Sequence, residues 1–119
     1  MKTVCLFILL IITTKGSASL LAEISSFSQQ QIFKSWVQNR CIGKISQDKE
    51  LMEDAKASAA AWLEFSKLPV EDFQKADAVI DNLLKEKLGG SVDSPYLVLK
   101  CTLIAESQPV QAIYAASKK

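Results

Sequence analysis

The sequence contains no histidine, and Arg40 is its only arginine. Without histidine there is no Ser-His or Cys-His nucleophile, and most zinc sites are removed as well, because these rely on an imidazole. Carboxylate pairs remain, but acids spaced along amphipathic helices normally form the solvated face. The sequence therefore points away from an enzyme, a metal site or a bound cofactor. An excess of charge of either sign is also lacking. The formal net charge is +1 over 119 residues, so nothing favours a nucleic-acid or anionic-membrane surface. There are only four glycines and three prolines, and no internal repeat or low-complexity linker. One domain fits this length, not two.

Long apolar runs are scarce too, with one N-terminal exception. Lys2 precedes Val4–Ile12, and Gly16-Ser17-Ala18 follows with small residues. That is the layout of a signal peptide over 1–18, and the run is short for a membrane span. Cleavage after Ala18 would leave a mature domain over 19–119. Cys5 would leave with the leader. So would Lys2 and Lys15, leaving twelve basic against thirteen acidic residues. The mature chain would then have no membrane contact. It holds no N-x-S/T sequon, which suits a bacterial periplasm at least as well as a eukaryotic secretory route.

Two cysteines remain, Cys41 and Cys101. In an oxidising compartment the simplest outcome is one intramolecular disulfide. Two buried thiols or an intermolecular bridge are the alternatives.

The pattern of apolar residues is helical throughout, giving an all-α chain: a small bundle of four to five helices braced by one disulfide. Ser28 and Gln31 form a capping-box pattern, with Phe27 and Ile32 placed as a hydrophobic staple. The first helix runs to about Lys44. Phe33, Val37 and Cys41 share one face, flanked by Trp36. Asp48 caps a second helix reaching Ser66. Leu51, Ala55, Ala59 and Trp62 make its apolar stripe, and Ala57, Ala60 and Ala61 keep its other sides small. Such a helix is expected at the centre of the bundle. Pro69 ends it and suits the first turn of a third helix, with Glu71 and Asp72 favoured by the dipole. Phe73, Ala76, Ile80, Leu83 or Leu84, and Leu88 are its buried stripe. Lys85 and Lys87 fall in its last turn, and Gly89-Gly90 is read as the C-cap. Ser94 as cap and Pro95 at the first position start a fourth helix, buried nearly throughout from Tyr96 to Ala105. A buried strand is the alternative there, but no partner strand exists elsewhere. Ser107-Gln108-Pro109 then turns into a short terminal helix from Val110 to Ser117.

Between the third and fourth helices lies the one conspicuous loop: Gly89, Gly90, Ser91, Val92, Asp93 and Ser94. A phosphate cradle would need a lysine or arginine, and the loop has neither. Its small and polar residues suit either a plain turn or a loop presented to a groove.

Four stretches resemble a known family. They are W-V-Q-N-R-C (Trp36–Cys41), D-A-K-A-S-A-A-A-W-L-E-F (Asp54–Phe65), G-G-S-V (Gly89–Val92) and L-K-C-T-L-I-A-E-S (Leu99–Ser107). In order and spacing they are similar to the type VI secretion amidase immunity proteins, which antagonise the fourth family of peptidoglycan amidase effectors. The likeness covers nearly all of the mature chain. Trp62 stands where that family commonly has tyrosine, and Pro95 with Tyr96 departs from its pattern after the loop. The resemblance implies a periplasmic, non-catalytic, all-helical homodimer that plugs the active-site cleft of a Cys-His amidase. It assigns Gly89–Ser94 as the loop that enters the cleft, and it implies that a helix of the other subunit braces the cleft wall. A secreted helical carrier of a small apolar ligand is the competing function, and an unrelated structural or adhesion module is a third. The carrier would need a sizeable internal cavity.

Overall fold

The computed structural model describes residues 20–117. The expected leader over Met1–Ala18 and the terminal Lys118-Lys119 lie outside the described residues. The chain opens with two short turns, α1 (Leu20–Glu23) and a 3-10 turn (Ile24–Ser26). Five longer helices follow: α2 (Gln29–Ile45), α3 (Lys49–Glu64), α4 (Val70–Leu83), α5 (Leu97–Ala105) and α6 (Gln108–Ser117). The all-helical reading holds, including over Tyr96–Ala105, where a strand was the alternative.

The start of α2 follows the sequence closely. Ser28 Oγ accepts from the Gln31 N–H at 3.1 Å, and Gln31 Oε1 accepts from the Ser28 N–H at 2.8 Å. Two of the helix's orphan donors are thereby satisfied. Phe33, Val37 and Cys41 are completely buried, and Trp36 nearly so. The Trp36 and Phe33 rings meet Phe73 of α4 edge-on, with centroids 5.0 and 5.3 Å apart. Edge-on contact suits the quadrupoles of the rings.

This makes α2 the axis of the bundle. It packs against α3, α4, α5 and α6, and the Cys41–Cys101 disulfide ties it to α5 with Cα atoms 5.5 Å apart. The expected centre, α3, is peripheral. Asp48 caps it as expected, accepting from the Leu51 N–H at 2.8 Å. Only Ala55 and Ala59 are buried, however, while Leu51, Ala57 and Ala60 are exposed. The physical reason is that α3 has one extensive neighbour, α2, so one narrow face suffices. Trp62 is half-buried, not the core anchor its size suggested, and packs edge-on against Phe27 at 5.5 Å.

Two further expectations are corrected around the loop. Helix α4 ends at Leu83 rather than near Leu88, and neither Gly89 nor Gly90 has a positive φ. The glycines are therefore not its C-cap. The helix tightens through Lys85 N–H to Asn82 O and Glu86 N–H to Leu83 O, at 3.2 and 3.1 Å. The Leu84 carbonyl, which a continuing helix would give to the Leu88 N–H, instead accepts from the buried Lys100 ammonium at 3.3 Å. Lys85, Glu86 and Lys87 are all exposed, so a longer helix would have had little apolar face to bury there. Helix α5 in turn starts at Leu97, with Tyr96 as N-cap. Ser94 is not the cap; its Oγ accepts from the Tyr96 N–H at 3.2 Å. Pro95 thus precedes the cap and does not occupy the first helical position.

Candidate partner-binding loop

Every residue from Gly89 to Ser94 is solvent-exposed. Val92 presents 65% of its surface, the largest apolar exposure in the loop. The structure keeps these six residues together as one connection between α4 and α5. Residues outside them hold its shape, and the sequence reading did not identify those residues.

Lys100 holds the base. It is buried to 7% exposure in the first turn of α5. Its ammonium donates to the carbonyls of Leu84 and Glu86. A buried ammonium is costly unless fully bonded, and helix C-terminal carbonyls are suitable acceptors. The sequence carried a signal for this: one lysine inside the apolar run L-V-L-K-C-T-L-I-A.

Tyr96 holds the far side. Its hydroxyl donates to the Val92 carbonyl at 2.9 Å and accepts from the Val92 N–H at 3.0 Å. Gly90 lies beneath the phenol. A Cβ there would sit 2.5 Å from the hydroxyl oxygen and 2.7 Å from Cζ. Glycine is needed at that position for room, not for its dihedral freedom. Beside Gly89 there is open space.

A second feature lies between α2, α3 and α4: an open groove of about 410 Å³ lined by Trp36, Arg40, Ala60, Leu63 and Val70 among others. Being open, it does not provide the enclosed cavity that a carrier requires. Arg40 Nε meets Asp77 at 2.7 Å, and Lys44 bridges Asp77 and Asp81 at 3.2 and 2.7 Å. The Asp77 hydrogen bond, with the nearby carboxylates, raises the Arg40 guanidinium above its ordinary value, against the effect of desolvation. Burial pushes the Asp77 carboxyl upward, but the bonds and charges of Arg40 and Lys44 together outweigh it, so the group lies below the usual carboxylate range. This network joins α2 to α4 and is structural in character.

Among the described residues no cluster of three or more His, Cys, Asp or Glu could hold a metal ion. None of their helices is long and apolar enough to cross a membrane. Every buried side-chain nitrogen and oxygen among them has a hydrogen-bond partner. No buried polar atom is left aimed at a missing group. What remains is exposed surface: the loop, and an uncovered apolar strip on α5. That helix was expected to be buried nearly all round, yet Val98, Leu99 and Leu103 are 69, 47 and 50% exposed. Its buried face is limited to Lys100, Cys101, Ile104 and Ala105.

Known proteins share this fold. One chain of the crystal structure of the effector Tae4 from Salmonella typhimurium, in complex with the immunity protein Tai4 from Enterobacter cloacae, is 63% identical. The match covers 76% of this chain and 93% of that one, with a TM-score of 0.74. The Tae4–Tai4 effector–immunity complex from Enterobacter cloacae gives the same identity and TM-score, over 76% of this chain and 92% of that one. A chain of the Tae4/Tai4 effector–immunity system from Salmonella typhimurium is 25% identical, covers 78% and 92% of the two chains, and has a TM-score of 0.71. No curated protein sequence matches significantly. The sequence profile of the family described as type VI secretion system (T6SS), amidase immunity protein, Tai4, matches residues 31–114, a span that takes in most of α2 and the whole of α3, α4 and α5. This chain belongs to the type VI secretion system amidase immunity protein family.

Proposed function

We propose that this protein is a non-catalytic periplasmic inhibitor that binds a Tae4-type peptidoglycan amidase and occludes its active-site cleft. Residues 1–18 serve as a cleaved signal peptide, and 19–119 form the inhibitory domain. The amidase is of the Cys-His type and is met by the loop Gly89–Ser94. The observation that carries the site assignment is that this loop is wholly exposed, yet fixed to the fold on both sides by Lys100 and Tyr96. A fixed loop loses less conformational entropy on binding than a free one. Its backbone N–H and C=O groups can take the place of a peptide stem in a cleft. Occlusion needs no catalytic group, which accords with a chain without histidine.

The protein acts as a homodimer in this reading. Its uncovered α5 side chains Val98, Leu99 and Leu103 offer apolar surface for self-association.

The test is a titration of the Enterobacter cloacae Tae4 effector on peptidoglycan fragments, with melting curves alongside. Wild type should inhibit stoichiometrically. Ser91→Trp should fold normally and lose inhibition, since the bulk clashes in a cleft. Asp93→Ala should weaken it, because the cleft then holds a desolvated donor without its acceptor. Undiminished inhibition by Ser91→Trp at wild-type stability would place the contact elsewhere on the surface.

A further inference from the structure

A twelve-residue segment from Lys85 to Tyr96 with adjacent glycines would by composition sample many shapes. One side chain restricts it. The Tyr96 hydroxyl bonds both backbone groups of a single residue, Val92. That pairing fixes the orientation of the Val92 peptide groups as well as its position. The phenol covers Gly90, which has room for it only because it lacks a Cβ. Tyr96 itself holds φ 51° and ψ 40°, a left-handed conformation that large side chains avoid unless the surroundings impose it. No other non-glycine residue among the described ones has a positive φ. The unfavourable dihedral and the double hydrogen bond thus fall on the same residue.

We propose that Tyr96 is a positioning residue for inhibition: its phenol clamps Val92 and presents the loop tip in a single shape before the amidase arrives. This rests on the reading of Gly89–Ser94 as the contact loop. Both hydrogen bonds are solvent-exposed, so they contribute little to the stability of the whole domain. Their effect is on the number of conformations open to the loop, and that is felt in binding. A tyrosine required only for the fold would show the reverse: a lower melting temperature and unaltered loop order.

The experiment compares wild type, Tyr96→Phe, Gly90→Ala and Ser91→Trp. Three quantities are read: melting temperature, amide exchange of Val92 in the free protein, and Ki against the Enterobacter cloacae Tae4 effector. Phenylalanine keeps the ring and removes only the clamp. Tyr96→Phe should melt within about 2 °C of wild type, lose protection at the Val92 amide, and raise Ki about three- to tenfold. Gly90→Ala reaches the same end by displacing the phenol while leaving Tyr96 in place, so the proposal does not depend on one variant folding. Wild-type Ki for Tyr96→Phe and Gly90→Ala, with Ser91→Trp inactive, would overturn the proposal and leave the loop reading standing. Wild-type Ki for all three would overturn both. A raised Ki that follows a fall in melting temperature, with Val92 still protected, would assign Tyr96 to the fold and overturn the proposal as well.

Discussion

Breaking the Cys41–Cys101 bond is the most informative perturbation of this fold. The bond closes a loop of 60 residues that contains α3, α4 and the candidate loop. In the chain-entropy treatment, a loop of that length restricts the unfolded chain by about 4 kcal/mol at 25 °C. A domain of this size has a total stability of about 5–15 kcal/mol, so the cross-link is a large share of it. Both sulfurs are completely buried among Val37, Ile80 and Ile104. The double variant Cys41→Ala/Cys101→Ala therefore adds a packing loss of about 1 kcal/mol or more, whereas the reduced wild type keeps the sulfurs and isolates the cross-link. Urea melts followed by Trp36 and Trp62 fluorescence measure both. With a slope of about 1.5 kcal/mol/M, reduction should lower the midpoint by between 2 and 3 M, on the order of that energy divided by the slope. The double variant should fall slightly further. Because the effect lies in the unfolded chain, the slope should also steepen as that chain expands. A reduced protein whose midpoint stays within about 0.5 M of the oxidised one, beyond extrapolation error, would refute the argument. The stability would then reside in the α2 packing alone.

The remaining expectations concern the outer helices. Ala59→Leu should cost about 1–3 kcal/mol by overpacking the α2–α3 seam, while Ala60→Leu, one residue along and exposed, should stay within about 0.5 kcal/mol. Equal urea midpoints for the two variants would show that α3 does not pack through Ala59. Asp77 titrates below the ordinary carboxylate range, so its contribution is fully present above the unfolded pKa of about 4 and is lost as pH falls through the folded value. Asp77→Asn should therefore cost about 1 kcal/mol at pH 7, as befits a partly exposed network, and much less at pH 2. Melting curves at the two pH values check this, and an unchanged gap would remove the network as its cause.

Much of the fold was legible where short-range chemistry decides it. The capping box at Ser28, the Asp48 cap, the stripe through Phe33, Val37 and Cys41, and the pairing of the two mature cysteines needed no tertiary information. What failed did so where a distant residue intervened. Gly89-Gly90 after Lys85 and Lys87 is a sound local stop signal. Helix α4 nevertheless ends earlier, where Lys100 of α5 takes the Leu84 carbonyl that a helix continuing to Leu88 would have used. Ser94-Pro95 is an equally sound start signal. It is displaced because the Tyr96 side chain reaches back to Val92. Both ends of the candidate loop are thus set by long side chains bonding to backbone, an event that local propensity does not register.

The misplacement of α3 and α5 has a different cause. Alanine fits a crowded seam and an open surface equally well, so an Ala-rich helix does not reveal how many neighbours it has. Helix α5 is apolar apart from Lys100 and Thr102, and so apolar a segment reads as buried. That inference assumes that the core lies within a single chain. Here Val98, Leu99 and Leu103 stay exposed on α5, as does Val92 at the loop tip and Val70 beside the α2–α3–α4 groove. A monomer gains nothing from leaving such side chains in water, at about 25 cal/mol for each Å² of apolar surface. A protein that binds through them, as proposed here, would gain, because the same area is covered when its partner docks. Under the proposed function, the α5 residues that looked like core and lie outside it are surface for self-association, as the loop is surface for the amidase.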